Sequence, residues 1–322
     1  MKNVFLFPGQ GAQKKGMLKD ICEKYPQALN VIKEAEKITG EKISDYLWET
    51  EDAELARSDR SQLAITCSSL AIAEVLKSKG IEADICAGFS LGEFAALHIA
   101  GLLDFEETIK LVCQRGKIMQ KVCDELAAKS NGNMSGMAAV IGLTPEEVEK
   151  AILPLTDEKL AFCANLNSPK QTVISASAEG LEKAGELCTQ AGARRFIKLK
   201  VAGPFHSPLM QKAGDEFSKV LDSVNFKNPE KRIFSNVTGK EITSGEEAKK
   251  LAVQHFTNPV RWTSEEREIA ALIGWEETDL SSKWRIIEAG PGSVLSGLWR
   301  DSGFAQNINC KAVNCVEHME EI

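Results

Sequence analysis

A run of apolar residues, 83–89, ends in Gly88-Phe89-Ser90-Leu91-Gly92 and passes directly into a helical pattern over 91–100 that stops at Gly101. Strand, glycine-flanked turn and helix in immediate succession form a demanding arrangement. The glycines let the chain turn sharply without Cβ clashes. Ser90 is left at the head of a helix, with its hydroxyl presented and backbone N–H groups around it. Such a turn belongs where a strand of a helix-covered sheet ends, so it directs the chain to an α/β fold. A serine held this way is a candidate nucleophile, and the nearby N–H groups are suited to an oxyanion. The competing reading is a glycine-rich turn with an incidental serine.

The surrounding pattern agrees with α/β. A strand over 3–7 ends at Pro8-Gly9. Residues 17–39 read as helix with a break at Pro26. Ser58-Asp59 is placed to cap a helix through about Lys79, and 105–129 forms another. This alternation predicts a mainly parallel sheet covered by helices. Asn131-Gly132-Asn133 interrupts it. Strands are then expected at 134–141, 160–166, 171–176 and 195–201, the middle two joined through Asn167-Ser168-Pro169. Helices are expected from Thr144-Pro145-Glu146-Glu147, with a capping box, and over 178–191. In the last strand Ile197, Leu199 and Val201 alternate with Lys198 and Lys200, so one face should be solvated. The order βαββαβ is that of a ferredoxin-like unit. The expected architecture is a large α/β-hydrolase-like domain from 1–129 and 199–322, with a small ferredoxin-like α+β subdomain, 130–198, inserted. After 203 the pattern gives helix 208–224, strand 232–236, helix 244–255 and a final strand at 285–289.

A serine nucleophile needs a base, and there are four histidines: His98, His206, His255 and His318. His206 lies in Gly203-Pro204-Phe205-His206-Ser207-Pro208, a rigid loop after a strand, where functional groups concentrate. It is the preferred base, with His255 second; a surface histidine in a proline-bounded turn is the alternative. Arg115 sits among Leu111, Val112, Ile118 and Met119 at helical spacing, within the apolar stripe of helix 105–129. A buried guanidinium requires an anion. A structural ion pair, snorkelling to the surface and a clamp on a substrate carboxylate all remain open on this pattern. Two further glycine-rich turns, at 7–13 and 288–292, follow strands and are suited to line a crevice.

Other classes lose support. The formal net charge of −7 argues against nucleic acid as the main partner. No run reaches the roughly 20 apolar residues of a membrane span, and the apolar run 4–7 is too short for a signal segment, so the chain reads as cytoplasmic. The nine cysteines are scattered without a CxxC pair, which favours reduced thiols. Cys310 and Cys315 lack a second close pair of Cys or His, so no metal site is expected. Neither a P-loop nor a GxGxxG pattern occurs.

As a set, FPGQGAQ (7–13), GFSLGE (88–93), QRGKIMQ (114–120), GPFHSPLM (203–210), NPVRW (258–262) and EAGPGSVLSGL (288–298) resemble one family, and they run in its order over nearly the whole chain. It is the malonyl-CoA:acyl-carrier-protein transacylases of fatty acid synthesis, with the related acyltransferase domains of polyketide synthases. The resemblance implies Ser90 as the acylated nucleophile and His206 as its base. It implies the backbone N–H groups of Gln10 and Leu91 as the oxyanion hole, and Arg115 as the partner of the malonyl carboxylate. It also implies a main-chain carbonyl that orients the base. Counting back four residues from Pro259 gives His255, where the family usually has Gln; Gln254 is one place off. Phe89 stands where the family usually has His. Phe205 resembles the malonyl-selective form, a bulky ring leaving little room for an α-methyl group.

The implied reaction is ping-pong transfer of malonyl from malonyl-CoA to the phosphopantetheine thiol of an acyl carrier protein, with no bound cofactor or metal. A serine hydrolase with the same elbow, a trans-acting acyltransferase of a polyketide pathway and a non-catalytic carrier-binding domain are the rivals. An acidic carrier would need a basic surface, and Lys117, Lys121, Arg194, Arg195, Lys198 and Lys200 are the candidates.

Overall fold

The computed structural model describes residues 1–129, 134–277 and 279–322. Its strands are β1 (Lys2–Phe7), β2 (Ile85–Gly88), β3 (Gly136–Ile141), β4 (Ala161–Ser168), β5 (Gln171–Ala176), β6 (Arg195–Lys198), β7 (Arg232–Ile233), β8 (Trp284–Ala289) and β9 (Cys310–Val313). One sheet runs β7-β2-β1-β8-β9 with every pairing parallel. Its central strands are buried on both faces, which is why they read as continuous apolar runs. Phe5 and Phe7 of β1 point into the core shared with helices Ser58–Ser78 and Phe105–Lys129. Val4 and Leu6 point the other way, toward Trp262 and Trp299.

The second sheet is antiparallel, in the order β4-β5-β3-β6. Helices Pro145–Asp157 and Ala178–Gln190 contribute to the small core on one of its faces. The expected capping box is present: Glu147 N–H donates to the Thr144 hydroxyl, and Thr144 N–H to the Glu147 carboxylate. On the opposite face Met137, Ala139 and Val173 join the main core. The two sheets are stitched where Leu166 N–H donates to Val260 O and Val260 N–H to Ala164 O, each at 2.8 Å.

Several expectations need correction. The strand expected over 195–201 ends at Lys198, with Phe196 packed inward and Ile197 43% exposed. Leu199 and Val201 lie past its end and pack on the main core. The strand near 285–289 is not the last, because β9 pairs beside it. Helix Trp262–Ile273 was not anticipated; Glu265 and Glu266 are fully buried within it and disguise its apolar stripe. Short helices Ile43–Trp48 and Asp52–Leu55 were also missed. Ser58-Asp59 does not cap the following helix: Ser58 is buried with its hydroxyl against Gln10, and Asp59 pairs with Arg57. The helix expected over 208–224 is a 3-10 turn, Pro208–Met210, followed by Gln211–Leu221. The strand expected over 232–236 is only Arg232–Ile233. The break at 131–133 and the boundary at 130 lie outside the described residues.

The elbow depends on close packing of main chain. A Cβ on Gly88 would lie 2.0 Å from the carbonyl carbon of Gly92, and one on Gly92 would lie 2.0 Å from Phe7 O. Neither collision can be relieved by rotating a side chain. Gly92→Ala should therefore cost on the order of 3 kcal/mol or more in urea unfolding. A loss below about 1 kcal/mol would show that the helix does not need this contact with β1.

Candidate active site

β1 and β2 end side by side, with Phe7 opposite Gly88 in register. Beyond them the Pro8–Ala12 loop and the Phe89–Leu91 turn form one wall of a cavity of about 240 Å³. Residues of the small sheet, Met137, Ala139, Asn165, Gln171 and Val173, form another part of its lining. The cavity thus lies between the two sheets, outside the C-terminal edge of the parallel one.

Ser90 occupies a left-handed conformation at φ 52°, and His206 does the same at φ 55°. Such a backbone is unfavourable for a non-glycine residue by about 1–3 kcal/mol and must be held by its surroundings. The elbow's positive φ therefore falls on the serine, while its glycines serve close approach. Ser90 Oγ lies 2.7 Å from His206 Nε2. His206 Nδ1 lies 2.8 Å from the main-chain oxygen of His255, so the ring donates through Nδ1–H and turns the Nε2 lone pair to the serine. Of the two carbonyls that counting from Pro259 left open, the structure brings His255 to the ring; Gln254 O accepts from the backbone N–H of Thr257 and Asn258. His206 is 5% exposed. Burial, with the nearby His255 and Arg115 adding to it, pushes its pKa down to about 3.

The loop carrying His206 is braced by hydroxyls. Ser175 Oγ on β5 donates to Phe205 O, and Ser207 Oγ donates to Pro204 O at 2.6 Å. On the nucleophile side, Gln10 N–H and Leu91 N–H have no intramolecular acceptor among the described residues. Both residues line the cavity beside Ser90. The Gln10 side chain is held by Ala56 O, at 3.1 Å, and by the Ser58 hydroxyl. Glu288 accepts from Leu295 N–H and from Ser296, which pins the glycine-rich turn after β8 against the helix that follows.

Arg115 is 1% exposed and lines the same cavity. Its guanidinium lies 5.4 Å from the Phe94 ring centroid and 5.2 Å from that of Phe256. Nη1 donates to Gln62 Oε1 at 2.8 Å, and Nε has no partner among the described residues. No carboxylate among the described residues makes an ion pair with it. Burial lowers its pKa to about 10, which still leaves it cationic at neutral pH. The snorkelling and structural ion-pair readings thus both lose their basis; Glu93 acts on the guanidinium only through space, and what remains is a cation facing the cavity with no carboxylate in contact among the described residues.

Phe89 is half-buried, lines the cavity and meets Trp262 edge-on at 5.4 Å. Phe205 is buried at the same cavity. Sequence reasoning missed Gln62, which orients Arg115, and Asn165, Asn167 and Gln171, which line the cavity. It also missed Asn236 and the role of Glu93 beneath the elbow. Among the basic candidates, Lys117 pairs with Glu41 and Lys121 with Glu216, whereas Arg194, Arg195, Lys198 and Lys200 are exposed without ion pairs among the described residues. Cys310 lies half-buried on β9 with its sulfur against the Ser296 hydroxyl, and no group of potential metal ligands occurs among the described residues. No helix among them is long and apolar enough to cross a membrane.

The acyl transferase domain family matches residues 4–276. The malonyl CoA-acyl carrier protein transacylase of Bacillus subtilis is 38% identical over 298 residues, covering 92% of this chain and 89% of its own. That of Escherichia coli K12 is 35% identical over 296 residues, covering 92% and 91%. Among solved structures, a malonyl-transacylase in complex with its type II PKS acyl-carrier protein superposes with a TM-score of 0.89 at 32% identity, covering 99% of this chain and 98% of that one. An acyl carrier protein S-malonyltransferase from Vibrio cholerae superposes at 0.88 and 32%, covering 100% and 99%. The chain therefore belongs to the acyl transferase domain family and, within it, stands with the malonyl CoA-acyl carrier protein transacylases.

Proposed function

We propose that the protein transfers a malonyl group from malonyl-CoA to the phosphopantetheine thiol of an acyl carrier protein, through a malonyl ester on Ser90. The observation that carries this reading is Arg115: a buried cation, with no carboxylate in contact with it among the described residues, at the cavity that also holds the Ser90–His206 contact. A substrate carboxylate supplies the missing anion, and an acyl group without one leaves the charge unpaired. Ser90 Oγ attacks the thioester carbon while His206 Nε2 takes its proton. Gln10 and Leu91 N–H donate to the oxyanion. The C–S bond breaks, and His206 returns the proton to the departing CoA sulfur. In the second half-reaction His206 takes the proton of the carrier thiol, the sulfur attacks the ester, and Ser90 leaves with that proton. Neither step calls on a metal or a bound cofactor.

His255 O orients the base, the place an Asp or Glu takes in a hydrolase triad, and this favours the transferase over the hydrolase reading. Phe205 narrows the cavity against an α-methyl group, and Phe89 gives its wall an apolar surface. The unpaired Arg194, Arg195, Lys198 and Lys200 are suited to an acidic carrier. The parallel sheet with its elbow supports the α/β-hydrolase-like label, and the order β4-β5-β3-β6 the ferredoxin-like one, with 130–198 as the inserted unit. Reduced cysteines fit a cytoplasmic setting.

Intact-mass analysis after exposure to malonyl-CoA should show a malonyl adduct on the wild type and none on Ser90→Ala; equal adducts on both would overturn the assignment. Arg115→Ala should slow malonyl loading by roughly 100-fold or more while changing acetyl loading far less, as the loss of a charge-assisted pair requires. Equal losses for malonyl-CoA and acetyl-CoA would remove the carboxylate role. The lowered pKa of His206 keeps the base free of protons as pH falls. Presteady-state acylation should therefore hold from pH 8 to about 5, with its acid limb below the ordinary histidine value of about 6.5. A limb at about 6.5 would show that the base is solvated.

A further inference from the structure

We propose that Glu93 is a positioning residue whose carboxylate joins the nucleophile and its base into one frame; this inference rests on the acyl-transfer reading above. Glu93 lies in the first turn of helix Gly92–Ile99, a place where an acidic side chain ordinarily serves the helix N-terminus from the surface. Here it is 2% exposed. A buried carboxylate is tolerated only where its hydrogen bonds are met, so its partners show what it is for.

A single oxygen, Oε2, has two of them. Asn236 N–H donates to it at 2.7 Å, and His255 Nε2 lies 3.1 Å away. His255 Nδ1 has no partner, which places the ring proton on Nε2, donating to Glu93. Each partner reaches one member of the catalytic pair. Asn236 Oδ1 accepts from Ser90 N–H at 2.5 Å, and its Nδ2 donates to Gly88 O at 2.7 Å and to Glu265 Oε1 at 2.8 Å. The Asn236 side chain thus grips the elbow on both sides of Phe89. His255 O accepts from His206 Nδ1–H. The Ser90–His206 contact closes a ring: Glu93, Asn236, Ser90, His206, His255 and back to Glu93.

This ring answers a geometric need. Ser90 and His206 both occupy left-handed backbone, on segments 116 residues apart in sequence. Nothing local keeps two such turns in mutual register. The ring does so from below, away from the cavity, so it leaves the substrate side open. The main-chain oxygen of His255 makes the hydrogen bond to the base, while its ring meets the His206 ring edge-on at 5.7 Å. Through its bond to Glu93 the imidazole fixes where the end of helix Gly245–Gln254, and with it that oxygen, sits relative to the elbow.

The test is rapid-quench intact-mass measurement of Ser90 acylation by malonyl-CoA, using the full chain. Wild type, Glu93→Gln, Glu93→Ala and His255→Ala are compared across malonyl-CoA concentrations, with folding followed by thermal unfolding. Wild type that gains no malonyl mass would sink the acyl-transfer reading itself. With wild type active, Glu93→Ala should lower the maximal acylation rate by about 100-fold while the half-saturating concentration moves less than about threefold. Glu93→Gln, whose amide oxygen can accept both hydrogen bonds, should recover the rate to within about tenfold of wild type. A maximal rate for Glu93→Ala within about threefold of wild type, or an equal loss in both Glu93 variants, overturns the positioning role. Should Glu93→Ala fail to fold, His255→Ala decides: it keeps the carbonyl that holds the base and removes the bond to Glu93 together with the ring contacts to His206 and Phe94. It should lose about tenfold in maximal rate at unchanged half-saturation, and an unchanged rate overturns the proposal.

Discussion

Two lengths of main chain, the end of β1 and the start of the helix after Ser90, approach so closely that no side chain fits between them. Gly92 rests on Phe7 O, and Gly88 on Gly92. Because the helix begins that tightly against the sheet, the intervening turn has no room for an ordinary conformation, and Ser90 takes φ 52°. The same closeness sets the Pro8–Ala12 loop next to the elbow, so that Gln10 and Leu91, whose N–H groups have no acceptor among the described residues, come to one place. The left-handed turn at Ser90 and the pair of N–H groups beside it are thus two results of one steric constraint. The strain involved is modest beside the burial of Phe5, Phe7 and the helices around them, which the site draws on for its rigidity.

The cavity's electrostatics follow from what surrounds Arg115. Two aromatic rings and the Gln62 amide orient the guanidinium without neutralising it. A carboxylate in the same position would have been better for stability and worse for binding an anion. His206 is subject to the opposite demand. Burial and the neighbouring cation hold it neutral, which suits a base and favours the substrate's charge over one of its own.

What was legible in the sequence was whatever chemistry a short segment carries by itself. The elbow is spelled by adjacent residues, the capping box by Thr144 and Glu147, and the order of strands by apolar runs and turn residues. Arg115 betrayed itself because a charge interrupts an apolar stripe. Asn236 did not, since it is bound to Ser90 and Glu93 only through folding, at separations of more than 140 residues. Counting from Pro259 left Gln254 and His255 both open, because the direction of a carbonyl is not written in side-chain identity; the helix end turns His255 O to the base. Helix Trp262–Ile273 escaped for a related reason. Glu265 and Glu266 are buried on it, and burial pushes the carboxyl groups of both well above their usual range. A pattern rule that expects glutamate outside cannot see a helix that keeps it inside.

The hydroxyl of Ser175 belongs to the small sheet, yet the carbonyl it grips belongs to the residue before the base. Leu199 and Val201, on the chain leading out of that sheet, form part of the cavity wall. The loop that carries the base is therefore held from both sheets, by Ser175 on the small one and by His255 O beside the large one. A change on β5 is therefore felt at the base, although Ser175 touches neither the nucleophile nor the cavity wall beside it. The small sheet thus serves the site twice, as a wall of the cavity and as a bracket for the loop that bears His206.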